Sequence, residues 1–572
     1  MSARFGAALV LALACSTPEP RDAPGDPSAQ PGAGELRALA EAEGWAVADR
    51  PPLPVFGGTL TISASQTRAL AAEPSFDQVH LVALDAWLPA PLHTLVLEPG
   101  DQPWRSVALP DGFVLSLRGG AVLRLRLDAA ETRLEIVWRT ELPGSPRGLD
   151  VRGDALFVAT AGGALHRLDL RDGEPEARFV LEPDLRDVVA LPDALIVTTF
   201  RQGRMLTVSD DGIVLAHRNG GSNRKVAWRA RRSPFRDGRF VVVRQVQPQG
   251  VIASGERGGY GVPAEQPPGT VEIQAFDGAE ADPETSFRFA PLAVDLAEGG
   301  DGTSYVIGTG TGSGTRVPRF GTPVSTGLST EGLVTAIDVG DAGLVVQTAG
   351  VRAVRGTGLE LNVVLGPDVR DHGYERFHRA SELGLACASC HAEGGDDGFV
   401  WSFDDVGPRR TQALGVPGGM LAAAPFHWDG ALPTMADIVR NNMRLMADDA
   451  TPGEAAAIAL YVDSIPPERG DPAALGEGAG AEVFAAEGCA RCHVPESGYT
   501  DGRSHTIRGK TRQTPSLAGV AFREPLMHDG CVAQLRVFGY GCPSDDVHFL
   551  AGGGDAALGE RQRALVAFLA TL

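Results

Sequence analysis

Leu109-Pro-Asp-Gly-Phe-Val-Leu-Ser-Leu-Arg-Gly-Gly120 returns in altered letters as Val151-Arg-Gly-Asp-Ala-Leu-Phe-Val-Ala-Thr-Ala-Gly-Gly163, and again as Leu191-Pro-Asp-Ala-Leu-Ile-Val-Thr-Thr-Phe-Arg-Gln-Gly203. Each copy is a turn, a run of aliphatic and β-branched residues, and a second turn, which is the pattern of a short antiparallel strand. The same texture fills residues 52–370. Its apolar runs centre on Val82, Val114, Phe157, Ile196, Val242, Tyr305 and Val345, seven units in all. A spacing of roughly 40–50 residues suits a four-stranded blade and predicts a seven-bladed β-propeller, whose ring closure removes open sheet edges. The spacing widens before Tyr305, where 247–268 is rich in Gly, Pro and Gln. That stretch is expected to be a long loop, either a contact to the C-terminal half or a partner, or a bare insertion. No metal or catalytic cluster stands out in the blades, and His166 and His217 read as structural or surface residues. A propeller does not by itself declare a function.

Upstream, residues 15–51 are rich in Pro, Gly and Ala and read as a linker, within which Gly34–Ala48 can form one helix. Residues 1–14 have the make-up of an export signal, with Arg4 ahead of the apolar run Phe5–Ala14. Ten apolar residues are too few to span a bilayer, which needs about 20. Leu11-Ala-Leu-Ala-Cys15 resembles a lipobox, imperfectly, because the Leu stands at 11 rather than 12. Cys15 is the expected lipidation site, with simple cleavage nearby as the alternative. Either outcome puts the protein in the periplasm or at the cell surface, touching membrane only through a lipid anchor.

The chain is 572 residues long, enough for two to four domains. Its 51 basic and 72 acidic residues leave a formal charge of −21, which argues against nucleic acid or an anionic membrane as partner and suits a cationic one.

After Asp371 the strand texture stops and two short motifs dominate, Cys387-Ala-Ser-Cys390-His391 and Cys489-Ala-Arg-Cys492-His493. Two thiols one turn apart can form thioether bonds to haem vinyl groups, and the following imidazole can ligate the iron, so each reads as a c-type haem attachment site. With 12 histidines in the chain, one directly after both Cys-x-x-Cys units is a roughly one-in-two-thousand coincidence. A zinc ribbon is the alternative, but its knuckles sit roughly 15–20 residues apart and these are about a hundred apart. Of the 7 cysteines, Cys15 lies at the signal boundary and four serve the motifs. Cys531 and Cys542 remain, and are expected to pair as a disulfide in an oxidising compartment, the alternative being two buried thiols.

The motifs sit in a duplicated unit. Tyr374-Glu-Arg-Phe377 and Glu482-Val-Phe484 precede them, Thr411-Gln-Ala-Leu414 answers Thr514-Pro-Ser-Leu517, Trp428-Asp-Gly430 answers His528-Asp-Gly530, and Ala455–Ile465 answers Gln562–Leu572. The expected architecture is therefore the propeller followed by two all-α cytochrome c-like domains, 371–467 and 468–572, in which the terminal helices of each pack together.

Residues 372–572 resemble the bacterial di-haem cytochrome c peroxidase family, on the strength of both Cys-x-x-Cys-His motifs, Arg410-Thr411, Thr514-Pro-Ser-Leu517 and the two Asp-Gly turns. The resemblance implies two covalently bound haem c groups, one relaying electrons from a small redox protein or other donor and one reacting with hydrogen peroxide or carrying out a related oxidation, and allows a calcium ion between them. It makes Trp428 the candidate bridge, with core packing as the alternative. Met443, Met446, His427, His528 and His548 are candidate distal ligands or acid/base groups, His548 first among the histidines. Glu524, Asp429 and Asp529 are candidate proton donors, although both Asp residues are equally suited to holding Asp-Gly turns. Cys542 and His548 stand where the family's relay haem often finds a Met. The alternative function is non-catalytic electron transfer or redox sensing, with the propeller docking a partner or surface ligand.

Overall fold

The computed structural model describes residues 29–535 and 555–572, apart from 55–56, 219–224, 247–250, 253–269, 290–291, 309–313, 319–322, 327–329, 342, 357–360, 382, 404–405, 447, 469–478 and 508–509. Within this span seven antiparallel four-stranded sheets follow one another, covering 60–96, 103–141, 146–180, 185–218, 225–289, 293–325 and 333–364. The N-terminal region is thus a seven-bladed β-propeller, one blade for each expected unit. Six of the seven sequence centres fall in the second strand of their blade, and Val82 falls in the third strand of blade 1. The extra length of blade 5 lies between its second and third strands, Arg239–Val246 and Thr270–Asp277. Val251–Ile252 of that insertion pairs in parallel with Ser402 and Phe403, so the described part of the long loop does reach the C-terminal half.

Seven helices are described: α1 Ala33–Ala42, α2 His372–His378, α3 Cys387–Cys390, α4 Met435–Leu445, α5 Pro452–Asp463, α6 Ala479–Ala486 and α7 Asp555–Ala570. As expected, α2 packs on α5 and α6 on α7. The expectation of purely α units needs correction. Each unit also carries a two-stranded hairpin, Val400–Phe403 with Gly407–Arg410 and Ser504–Ile507 with Lys510–Gln513.

A second correction concerns α1, which forms where one helix was expected within the tether but is not loose. It packs along α5, Glu43 accepts from the Gly453 N–H at 2.9 Å, and Trp45 stacks on His372 at 3.9 Å. The described chain therefore runs from a helix packed on the C-terminal half through the propeller and back. This explains α5, which is buried at Gly453, Ala455–Ala459, Tyr461 and Val462 instead of showing one apolar stripe, because α1, α2 and α4 enclose it.

The two units are seated differently. One continuous core runs from propeller residues such as Trp228, Val294 and Val346 into Tyr374, Phe377, Met443 and Tyr461 of the first unit. The second unit has a core of its own, built on Phe484, Val520, Leu526, Leu565 and Leu569.

A repeated aspartate joins the blades. Asp150, Asp187, Asp295 and Asp338 lie on innermost strands, and each accepts the N–H of the next blade's innermost strand, from Ala190 at 2.9 Å, Ala230 at 2.8 Å, Ile337 at 3.1 Å and Ile62 at 2.9 Å. The last of these ties blade 7 to blade 1 and closes the ring. Asp338 also pairs with Arg231 at 2.8 Å. Truncating it leaves a buried amide and a guanidinium without their acceptor, so Asp338→Ala is expected to lower the unfolding free energy by about 3 kcal/mol. Urea denaturation would measure this, and a loss under 1 kcal/mol would show that ring closure does not depend on it.

Candidate functional site

The first Cys-x-x-Cys motif forms α3, a single turn that places Cys387 and Cys390 on one side. The Ser389 hydroxyl accepts the Ala386 N–H at 3.1 Å, and the Ser389 carbonyl accepts from Gln245 of the propeller at 2.6 Å. The second motif forms a tighter 3-10 turn over Cys489–Arg491. All four thiols are free and partly buried. Burial pushes the Cys387 thiol up to about 11 and raises the other three. The imidazoles share one geometry, with His391 Nδ1 donating to the Gly395 carbonyl at 3.3 Å and His493 Nδ1 to the Tyr499 carbonyl at 2.9 Å. Holding the proton on Nδ1 makes Nε2 the basic nitrogen, the tautomer a metal-ligating His needs.

Directly after His391 the chain turns through Glu393 in the left-handed region (φ 52°) and drives its carboxylate into the propeller. There it meets Arg186 at 2.6 Å and Arg118 at 3.6 Å. Six propeller guanidiniums converge at this end of the ring, Arg105, Arg118, Arg147, Arg186, Arg201 and Arg229, against three propeller carboxylates, Asp184, Asp187 and Asp295. Among the described residues, three carboxylates of the C-terminal half also reach these cations, Asp396 being shared with Arg410 of its own half at 2.7 Å. Glu393 is one, Asp396 lies 3.5 Å from Arg201, and Glu468 bonds both Arg147, at 2.7 Å, and Arg201. Trp104 and Phe200 lie among the cations, with Arg186 4.6 Å and 4.2 Å from their ring centres, an arrangement that offsets part of the cost of burying charge.

The two units face each other through a swapped set of hydrogen bonds with two-fold character. The Arg410 N–H donates to the His528 carbonyl at 2.8 Å, and the Gln513 N–H donates to the Trp428 carbonyl at 3.0 Å. In return Trp428 Nε1–H donates to the Arg410 carbonyl at 3.0 Å, and His528 Nε2–H to the Gln513 carbonyl at 2.9 Å. His427 and Met527, which precede the two Asp-Gly turns, both sit at positive φ, 75° and 73°.

A largely apolar cavity opens at this interface. Cys489 and His493 line it, with Phe484, Leu517, Leu565 and Leu569 from their own unit and Thr411, Val416, Met420 and Trp428 from the other. A largely apolar wall suits an apolar ligand, and Cys489 and the His493 imidazole in it, with Cys492 next in the motif, form a donor set that fits covalent haem.

The structure brings Trp428 and His528 to this cavity with Met527. His528 has its Nε2 committed to backbone, which makes it the counterpart of Trp428 and argues against a ligand role. Met443 and Met446 are buried in the shared core and do not line the cavity. His427 bonds Asp429 at 3.2 Å and meets Trp428 edge to face, ring centroids 4.2 Å apart. Asp429 and Asp529 hold their turns, accepting from the Ala431 and Cys531 N–H groups at 3.1 Å each. Glu524 accepts the Leu535 N–H at 2.8 Å. Cys531 is disulfide-bonded, while its expected partner Cys542, His548 and Cys15 lie outside the described residues.

Two residues escaped the sequence reading. Met420 lines the second unit's cavity from the first unit, and only the swapped packing reveals this. Asp397 lies wholly buried near Cys390, its Oδ1 accepting the Phe399 N–H at 2.9 Å, and burial pushes its carboxyl up to about 7. Its signature was the acidic pair Asp396-Asp397 just after the first Cys-x-x-Cys-His motif.

No family model matches this chain, and no curated protein does. Among solved structures, hydrazine synthase of Kuenenia stuttgartiensis aligns at 14% identity over 53% of this chain and 94% of that one, with a TM-score of 0.41. The Pan2 WD40 domain of Neurospora crassa aligns at 11% identity over 52% of this chain and 86% of that one (TM-score 0.39). Virginiamycin B lyase from Staphylococcus aureus aligns at 10% over 53% and 94% (TM-score 0.39). Likenesses this distant carry no argument about chemistry, and the blade count rests on strand order alone.

The Glu393 junction has a pH signature. Burial pushes this carboxyl up, but Arg186 and Arg118 overcome it and hold it down to about 2, from an ordinary value of 4.5. A depressed carboxyl contributes stability above its unfolded pKa and loses it as pH falls toward the folded one, here an amount on the order of 3 kcal/mol. The wild-type denaturant midpoint should therefore drop between about pH 5 and pH 3. Glu393→Gln should be less stable by about 3 kcal/mol at pH 7 and show a shallower acid loss. Parallel pH curves for the two proteins would rule the junction out as the acid-sensitive element.

Proposed function

We propose that this is an exported di-haem c-type cytochrome, fused to a β-propeller, that transfers electrons and reduces hydrogen peroxide. The observation that carries the reading is the pair of Cys-x-x-Cys-His motifs in two matching units, the second opening with its imidazole into an apolar cavity walled by both units. Cys387 and Cys390, and Cys489 and Cys492, would hold the two haem c groups by thioether bonds, with His391 and His493 toward the iron. When bound, these groups supply one-electron redox chemistry and, at an open position, a site for peroxide.

The chain's own residues do the rest. The carbonyls of Gly395 and Tyr499 fix the two imidazoles in the ligating tautomer. Trp428 stands in the wall between the units, held by Arg410 and Gln513, where an aromatic ring shortens the electron path. Reduction of peroxide to two waters consumes two protons, and Asp397 can hold one on its carboxyl at neutral pH beside the first motif. The largely apolar lining surrounds His493 on its cavity side. The net charge of −21 suits a cationic electron donor. Among the described residues no helix is long and apolar enough to cross a membrane. Export and lipid attachment at Cys15 rest on the sequence of the first residues.

One observation favours a second reading, redox sensing. The first motif is bonded to the propeller through Gln245 and Glu393, so a change at that haem would be felt by the blades.

Absorption and EPR titration of the haem-loaded protein tests the proposal. A high-spin ferric signal at half reduction, followed by peroxide-dependent oxidation of a donor, is the expected result. Two low-spin haems unmoved by peroxide would favour sensing, and absence of covalent haem would overturn both readings. Trp428→His copies the residue found at the matching position of the second unit and keeps a ring N–H for the Arg410 carbonyl. It is expected to fold normally and to slow electron transfer between the haems about tenfold, a barrier increase of about 1.4 kcal/mol. An unchanged rate in flash-photolysis kinetics would remove Trp428 from the path.

A further inference from the structure

The two units differ at one place that the haem reading does not use. In the first unit Cys390 feels the charge of Asp397, and in the second Cys492 feels the charge of Asp501. The second residue of the following hairpin strand is Trp401 in the first unit, opposite Arg409, and His505 in the second, opposite Arg512. Trp401 is buried and donates its Nε1–H to the Thr411 hydroxyl at 3.0 Å. His505 instead turns its Nε2 to Asp501 Oδ2 at 2.6 Å, and the Cys492, Asp501 and His505 ligand atoms all lie within 4.8 Å of one another. The same backbone positions thus carry thiol, acid and indole in one copy, and thiol, acid and imidazole in the other.

We propose that Cys492, Asp501 and His505 form a site for a zinc-class divalent cation while Cys492 is a free thiol. Thiolate, imidazole and carboxylate are the donors zinc prefers, and the partly exposed position leaves a fourth place for water. The site is nearly formed. Zinc bonds of about 2.0–2.2 Å to N and O set those ligands about 3.4 Å apart in a tetrahedron, and His505, 37% exposed, can yield the difference from 2.6 Å by a side-chain movement. Binding releases the thiol proton and turns Cys492 into a metal-bound thiolate. The metal site and a thioether bond at Cys492 therefore exclude each other. That consequence, and only it, rests on the haem reading: zinc bound first would leave the second motif without one of its two attachments.

The test uses the full chain purified without haem, freed of metal by a chelator and titrated with cobalt(II), then with zinc. One equivalent of cobalt should bind with a thiolate-to-metal charge-transfer absorption, and zinc should displace it. Zinc should also slow alkylation of Cys492 by iodoacetamide about tenfold, read by peptide mass spectrometry. Cys492→Ser and His505→Ala should each lose the absorption, and His505→Ala should lose the protection, with far-UV circular dichroism unchanged. Cys390→Ser should keep both. Loss of binding in Cys489→Ser with retention in His505→Ala would put the metal on Cys489, Cys492 and His493 and overturn the proposal, as would absence of a thiolate band. Because no haem enters these measurements, failure of the peroxidase reading leaves their outcome untouched.

Discussion

Glu393 buried among arginines is the constraint on which the arrangement of this protein depends. A propeller closes by bringing its innermost strands to a common axis, and here that axis ends in guanidiniums that its own carboxylates do not neutralise. Burial, with Arg229 beside it, already pulls the Arg105 guanidinium well down. Such a cluster cannot stay buried without outside anions. Glu393, Asp396 and Glu468 supply them, and Arg410 ties Asp396, at 2.7 Å, to the Pro525 carbonyl of the second unit, at 2.5 Å. Because Glu393 stands two residues after His391, the contact that neutralises the propeller also sets the first motif in place.

That coupling gives the two units unequal duties despite their shared plan. The first is built into the propeller by a continuous apolar core and by bonds to Ser389 and Glu393. The second has its own core and meets the propeller at contacts such as the Gln202 bond to the Glu524 carbonyl at 3.0 Å. What joins the units is the exchange of Trp428 and His528, each bonded to its own hairpin while its carbonyl holds the other's. Held this way Trp428 has little freedom, which suits the electron path proposed for it.

Much of this was legible in the residues. The alternation of apolar runs and turns carried the blade count, and the match of Trp428-Asp-Gly to His528-Asp-Gly carried the pairing of the units. Pattern did not carry the interblade aspartates, although each stands in an apolar strand before Val or Leu, as in Asp150-Val151 and Asp338-Val339. A charged residue in a buried strand has a partner to find, and the partner is an amide of the next blade, far off in sequence. The hairpins escaped for another reason. Val400–Phe403 is too short for a clear period, and its strand is completed by Val251–Ile252 from across the chain. Helix α1 could be read from the sequence but not placed, since its packing face meets α5 some four hundred residues on.

By itself the sequence determined which chemistry was available. Two Cys-x-x-Cys-His motifs, a repeated strand unit and a duplicated C-terminal plan are local facts of spacing, and spacing along the chain is what covalent geometry and backbone periodicity act upon. Only the tertiary structure decided which unit the propeller holds, that Met420 faces the other unit's cavity, that burial raises the Asp397 carboxyl to about 7, and that Asp501 and His505 gather beside Cys492. Each of these depends on burial or on distance through space, and a charge's pKa or a ligand's reach is set by the neighbours that folding supplies.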